Sequence, residues 1–199
     1  MADTINSRKS QAKLLQSQLK QIISYINKQF ENSLLSPLTI TLGDEFQSIL
    51  KNETQGIRII LAIEEFIVIH EMKIKLRYVL VNGEIETRIN RKIAYGMLGS
   101  GLTRAREKIN RLKKSSDRFH IEKLNDEIKI NDLFILFQSI VDGWKEKDFK
   151  FVASFIKHHD YKIVAEENFK TASQMWKRNK SLKIREYEIV KKLILDNAW

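Results

Sequence analysis

Apolar residues recur at spacings of three and four over residues 7–30, where Leu14, Leu15, Leu19, Ile22, Ile23, Ile26 and Phe30 form one stripe. That period predicts an amphipathic helix capped by Asn6 or Ser7. The period then drops to two. In TITLGDEFQ (39–47), Ile40 and Leu42 alternate with Thr39, Thr41 and Gly43, the pattern of a half-buried strand. Gly43-Asp44 is turn chemistry, and the apolar residues up to Leu50 carry a returning strand. TQGIRIILAIEEFIVIHE (54–71) is more apolar and predicts a buried second helix. KIKLRYVLV (73–81) alternates Ile74, Leu76, Tyr78 and Leu80 against Lys73, Lys75 and Arg77, predicting a strand that Asn82-Gly83 ends. GLTRAREKINRLK (101–113) predicts a third helix and RFHIEK (118–123) a short strand, and beyond about residue 130 every segment reads as helical.

The order is helix, hairpin, helix, strand, helix, strand. A strand ahead of the first helix completes βαββαβ, an α+β, ferredoxin-like sheet with helices on one face. Only Met1 and Ala2 precede Asp3, so this first strand is expected to be truncated or missing. The expected organisation is an α+β domain over residues 1–128 and a small all-α domain over 129–199.

Composition narrows the classes. At 199 residues and 43% hydrophobic content the chain supports a sizeable core. With no cysteine it makes no disulfide or thiolate metal site, and His70, His120, His158 and His159 lack zinc-ligand spacing. The apolar runs are too short for a membrane span and the N-terminus does not read as a secretory signal, so a cytoplasmic protein is expected. Lys and Arg number 35 against 25 Asp and Glu, a net charge of +10, which favours polyanionic partners and nucleic acid first.

The motifs add a resemblance. Asp3-Thr4-Ile5-Asn6-Ser7-Arg8-Lys9, then Gly43-Asp44-Glu45-Phe46-Gln47, then Gly83-Glu84-Ile85 and Ala105-Arg106 resemble the SatD family over essentially the whole chain. The two spaced Asp motifs also resemble the palm of class III nucleotide cyclases and diguanylate cyclases, in which a first-strand Asp and a hairpin Asp bind metal ions that hold a nucleoside triphosphate. The resemblance implies a cyclase-like palm with Asp3 and Asp44 as Mg²⁺ ligands, and with Asn6, Ser7, Arg8, Lys9 and Arg106 around nucleotide phosphates. Mg²⁺ chemistry agrees, because that ion takes a few carboxylates and keeps sites for water and phosphate. Taken alone, Gly43-Asp44 also reads as an ordinary hairpin turn. The chain departs from the family pattern at 96–101, where Leu98 replaces an acid, and the cyclase base-recognition residues have no counterpart. Three readings remain: nucleotide sensing without turnover, Mg²⁺-dependent cyclase-type catalysis, and a palm that serves only as an interaction module.

Residues 160–180 read DYKIVAEENFKTASQMWKRNK. A short helix ends at Glu166-Glu167, Asn168 is expected in the left-handed turn, and Thr171 caps the next helix with Met175 inward. This is a helix-turn-helix pattern. It places Thr171, Ser173, Gln174, Lys177 and Arg178 toward DNA, with Gln174 at base edges and the cations at phosphates. The competing reading makes these helices a cap on the palm. The functional expectation is a regulatory protein that binds DNA through its tail and senses a nucleotide through its palm, with a homodimer compatible and no membrane partner.

Overall fold

The computed structural model describes residues 1–5, 12–122 and 127–198. Asn6, Ser7, Arg8, Lys9 and Trp199 lie outside the described residues. The predicted alternation closes as strand β1 (Ala2–Thr4), β2 (Leu34–Leu42), β3 (Glu45–Leu50), β4 (Leu76–Leu80) and β5 (Phe119–Ile121). Helix α1 (Ala12–Gln29) follows β1, α2 (Glu53–Ile69) follows β3, and α3 (Ser100–Leu112) follows β4. The order up to β4 is therefore βαββαβ.

In space the strands run β2-β3-β1-β4-β5. The first four are antiparallel neighbours, and β5 joins β4 in parallel, so the sheet is mixed. The first strand is present but has only three residues, and it sits in the middle of the sheet. Ala2 faces Phe46 and Tyr78, while Asp3 faces Glu45 and Arg77. Because side chains alternate across a pleat, one residue of register sends Ala2, Phe46 and Tyr78 to one face and Asp3, Glu45 and Arg77 to the other.

The first face carries the main core. Leu19, Ile22 and Ile26 of α1 and Ile57, Ile60, Ile63 and Ile67 of α2 are buried against it. Asn52 caps α2 by accepting from the Gln55 backbone N–H. The second face is covered more thinly. Here α3 lays Ala105, Ile109 and Leu112 on Val79, at i, i+4 and i+7 along the helix. The long connection 81–99, which has no regular structure, reaches as far as β2, where Ser36 Oγ donates to Asn90 O and Ala94 N donates to Thr39 Oγ1. Asn82-Gly83 thus opens a crossing instead of a tight hairpin. A Cβ on Gly83 would stand 2.5 Å from Gly101 Cα, so the start of α3 seats directly on this crossing because both residues are glycine.

Every element described after β5 is a helix: α4 (Glu127–Val141), α5 (Glu146–His158), α6 (Tyr161–Glu167), α7 (Ala172–Ser181) and α8 (Ile184–Asp196). These helices share the core of the sheet. Phe134 and Phe137 of α4 meet Phe119 of β5, and Tyr187 of α8 donates to Glu65 of α2 at 2.7 Å. Between the two halves Arg118 is almost fully buried, with Glu64 at 2.8 Å and Asp142 at 2.9 Å. No helix among the described residues is long and apolar enough to cross a membrane.

Candidate functional site

The second face of the sheet holds a compact charged group. Asp3 and Glu45 stand opposite each other on β1 and β3, and both are buried. Three cations reach them from neighbouring elements. Arg77 of β4 approaches Asp3 Oδ2 at 3.5 Å, and Arg106 of α3 donates to Glu45 Oε2. Lys113, just past the end of α3, lies 3.3 Å from Asp3 Oδ2 and 2.9 Å from Glu45 Oε1. Asp3 Oδ1 is buried with no hydrogen-bond partner among the described residues.

The two acids respond to this setting in opposite directions. Burial pushes the Asp3 carboxyl above its ordinary range, although Lys113 and Arg77 pull it down. Burial would also raise Glu45, but hydrogen bonds from Arg106 and Lys113 outweigh it and hold Glu45 below its ordinary range. Lys113 loses solvation, yet its two carboxylate partners hold its pKa up. Among the described residues, three cations about two carboxylates leave one positive charge in excess.

Asp44 occupies a different place from Glu45. It follows Gly43, which turns the hairpin at φ +33°, and its backbone carbonyl accepts from both Thr4 N and Thr4 Oγ1 at 3.0 Å. The hairpin tip is therefore docked on the end of β1. Among the described residues no group of three or more His, Cys, Asp or Glu is placed to hold a metal ion. Of the expected site residues, Asp3 and Arg106 come together through Glu45. Glu45, Arg77 and Lys113 are the members that a reading of the motifs alone passes over. Period two was their signal, since Glu45 and Gln47 share the polar face of the hairpin and Arg77 the polar face of β4.

A second candidate is the pair α6 and α7. Asp160 caps α6 through Lys162 N, and Thr171 caps α7 by accepting from Gln174 N at 3.2 Å. The Gln174 side chain returns the bond to Thr171 N at 3.0 Å, which completes a capping box. Gln174 is thereby held at the helix start. Arg178 donates to the buried carboxylate of Asp148 on α5, and its guanidinium lies over Phe151. Ser173, Lys177 and Lys180 remain on the exposed side of α7, with Trp176 half exposed and the Lys180 ammonium 3.9 Å from the centre of its ring. Met175 points inward and is buried. In the turn, the left-handed residue is Phe169 at φ 53°, in place of the expected Asn168. Asn168 is buried, and its amide donates to Ser154 Oγ and Val164 O.

The model of the SatD family matches residues 1–195. The chain belongs to the SatD family. No curated protein and no solved structure matches it. This SatD protein carries two charged clusters: an acid pair held among three cations, and a basic face of α7 on its helical tail.

Proposed function

We propose that this SatD-family protein is a DNA-binding regulator that meets duplex DNA through α7 and carries a phosphate-responsive site on its palm-like sheet. One observation carries the first part: α6, a four-residue turn and α7 leave Ser173, Lys177 and Lys180 on an outward face, while Met175 fastens the helix to the core. That is the division of labour of a helix-turn-helix, in which the second helix enters the major groove. The net charge of +10 supplies the attraction that precedes specific contact. Thr171 and Gln174 shape the helix start, Lys177 and Lys180 meet phosphates, and Ser173 is the side chain nearest the helix start with its polar group unspent. The competing cap reading gives these exposed cations no role.

The test is fluorescence anisotropy of the full chain with a random duplex pool at about 50 and about 200 mM salt. Binding that weakens steeply with salt, and that falls in a Lys177→Ala/Lys180→Ala variant, supports the reading. Absent or salt-independent binding ends it.

The second reading concerns the acid pair. A nucleotide phosphate at the Arg106–Lys113 side of Glu45 would complete a site that, among the described residues, has one positive charge in excess. The residues present fit an anion better than a bare divalent ion, because Asp3 Oδ2 already faces two cations. Cyclase-type turnover with Mg²⁺ would need Asp3 and Asp44 to face one ion. A thermal-shift series with ATP and GTP, each with and without Mg²⁺, separates phosphate binding from metal-dependent binding. Asp44→Ala should remove only the metal-dependent part.

A further inference from the structure

Helices α4 and α8 pack side by side and run in opposite directions. Trp144, just past the end of α4, donates its indole N–H to Leu182 O, just ahead of α8, at 2.8 Å. Further along, the rings of Phe137 and Tyr187 meet at 5.7 Å. Going back along α4 is therefore going forward along α8. Both helices rise about 1.5 Å per residue, so equal steps from that ring contact stay level. Two steps on, Ile135 is level with Ile189, and five steps on, Asp132 is level with Lys192. Lys129 comes within one residue of the level of Asp196.

The inner faces of the pair are spent on the core, where Ile130, Phe134, Phe137, Tyr187, Val190 and Ile194 are buried. The outer faces carry aliphatics as well. Ile135 and Leu136 on α4 and Ile189 and Leu193 on α8 are each between 42% and 52% exposed, where a surface helix ordinarily turns polar side chains to water. A single exposed aliphatic is unremarkable, but four on adjoining helices make a patch of the kind that marks an interface.

The surrounding charges decide what covers it. Among the described residues, the exposed charged side chains of these two helices are Lys129, Arg185 and Lys192 against Asp132, Glu186 and Asp196, so the signs balance. The whole chain carries +10, and two copies repel over most of their surfaces. At this face they do not. A nucleic acid or an anionic membrane would be met by an excess of cations, which this face lacks.

We propose that the outer face of α4 and α8 is a self-association surface that binds a second copy of this chain as an antiparallel four-helix layer. A twofold axis parallel to the pair exchanges the helices and keeps their levels, so α4 of one copy lies on α8 of the other. Ile135 then meets Ile189 of the second copy, and Asp132 meets its Lys192. Lys129 falls beside Asp196 of the second copy in the same way. Each contact occurs twice, giving an apolar centre with charge pairs along the rim. The proposal requires nothing of α7 and stands apart from the DNA reading.

Sedimentation equilibrium of the full chain from about 5 to about 300 µM tests it. The original chain should form a dimer. Asp132→Lys and Lys192→Asp should each weaken that dimer about tenfold or more, because like charges then face each other twice. The double variant Asp132→Lys/Lys192→Asp should return to within about threefold of the original, since opposite signs are restored across the axis. Ile135→Gln/Ile189→Gln should give a monomer with unchanged helix content by circular dichroism. If helix content falls in that variant, the charge-reversal series decides alone. A chain that stays monomeric throughout the range would overturn the proposal. So would a dimer that the single reversals leave intact, or a double variant no tighter than the singles, because either result puts the contact elsewhere.

Discussion

Lys113 Nζ lies 3.3 Å from Asp3 and 2.9 Å from Glu45, so a single ammonium ties two buried acids on adjacent strands. Like charges directly opposite each other in a sheet repel, and the lysine removes that penalty. Lys113→Met should cost about 1–2 kcal/mol, at the low end for a broken buried pair because Lys113 is partly solvated and Arg106 stays on Glu45. Urea unfolding at neutral pH measures it. A loss below experimental error would mean that Arg77 and Arg106 suffice.

The same pair predicts two opposing slopes against pH. The folded pKa of Glu45 is lowered, so its stabilisation is present above its ordinary 4.5 and is lost as pH falls through the folded value. The folded pKa of Asp3 is raised, so its contribution is present below 3.8 and is lost as pH rises through the folded value. Glu45→Gln should therefore flatten the loss of stability on the acid side. Asp3→Asn should flatten the loss above pH 3.8 and leave the acid side alone. Denaturant midpoints across acidic pH for the three proteins decide the matter. Identical profiles would show that neither acid changes its proton affinity on folding.

Arg118 should be the most sensitive single position of the interior. Its guanidinium meets Glu64 at 2.8 and 3.0 Å and donates to Leu76 O at 2.8 Å, with its side chain 4% exposed. Arg118→Met strands the Glu64 carboxylate and should cost about 3–5 kcal/mol. Thermal unfolding of this variant beside Glu64→Gln/Arg118→Met tests the cause, since the double change should recover part of the loss.

Phe169 offers a gain. It holds φ 53° with 94% of its surface exposed, a conformation that costs a bulky residue about 1–2 kcal/mol and glycine almost nothing. Phe169→Gly should raise stability by about 1 kcal/mol. A loss of stability instead would show that the ring packs on a surface of its own in solution.

Arg178 and Lys177 separate packing from DNA contact. Arg178→Ala should lower stability, because Asp148 is buried and loses its partner. Lys177→Ala should leave stability unchanged within about 0.5 kcal/mol and reduce the slope of log affinity against log salt by about 1. Paired unfolding and anisotropy measurements on the two variants check this. Equal effects on both readouts would remove the distinction.

Much of this architecture was legible from periodicity. The helices now labelled α2 and α3 and the strands β3, β4 and β5 lie within a few residues of where the apolar spacing puts them. The site was less legible, for reasons of direction. In Gly43-Asp44-Glu45 the acid at the tip draws attention, but strand parity turns Glu45, not Asp44, toward Asp3. Thr171-x-x-Gln174 is a capping box in the sequence itself, and that reading competes with giving Gln174 to a base edge. Asn168 suits a left-handed turn by propensity, yet its amide satisfies Ser154 and Val164, and the unusual backbone falls on Phe169. Local preference yields here to a buried hydrogen-bond demand.

Helix α2 lays Ile57, Ile60 and Ile63 into the core beneath the sheet, and Glu65 receives Tyr187 and Lys191 from α8. Thr54, at its start, donates to the Ala198 carbonyl near the far end of the chain. The helical tail is consequently no detachable head that could be grafted onto another carrier. Exchanging it between proteins would mean carrying α2 along, and α2 would bring its half of the sheet's interior with it.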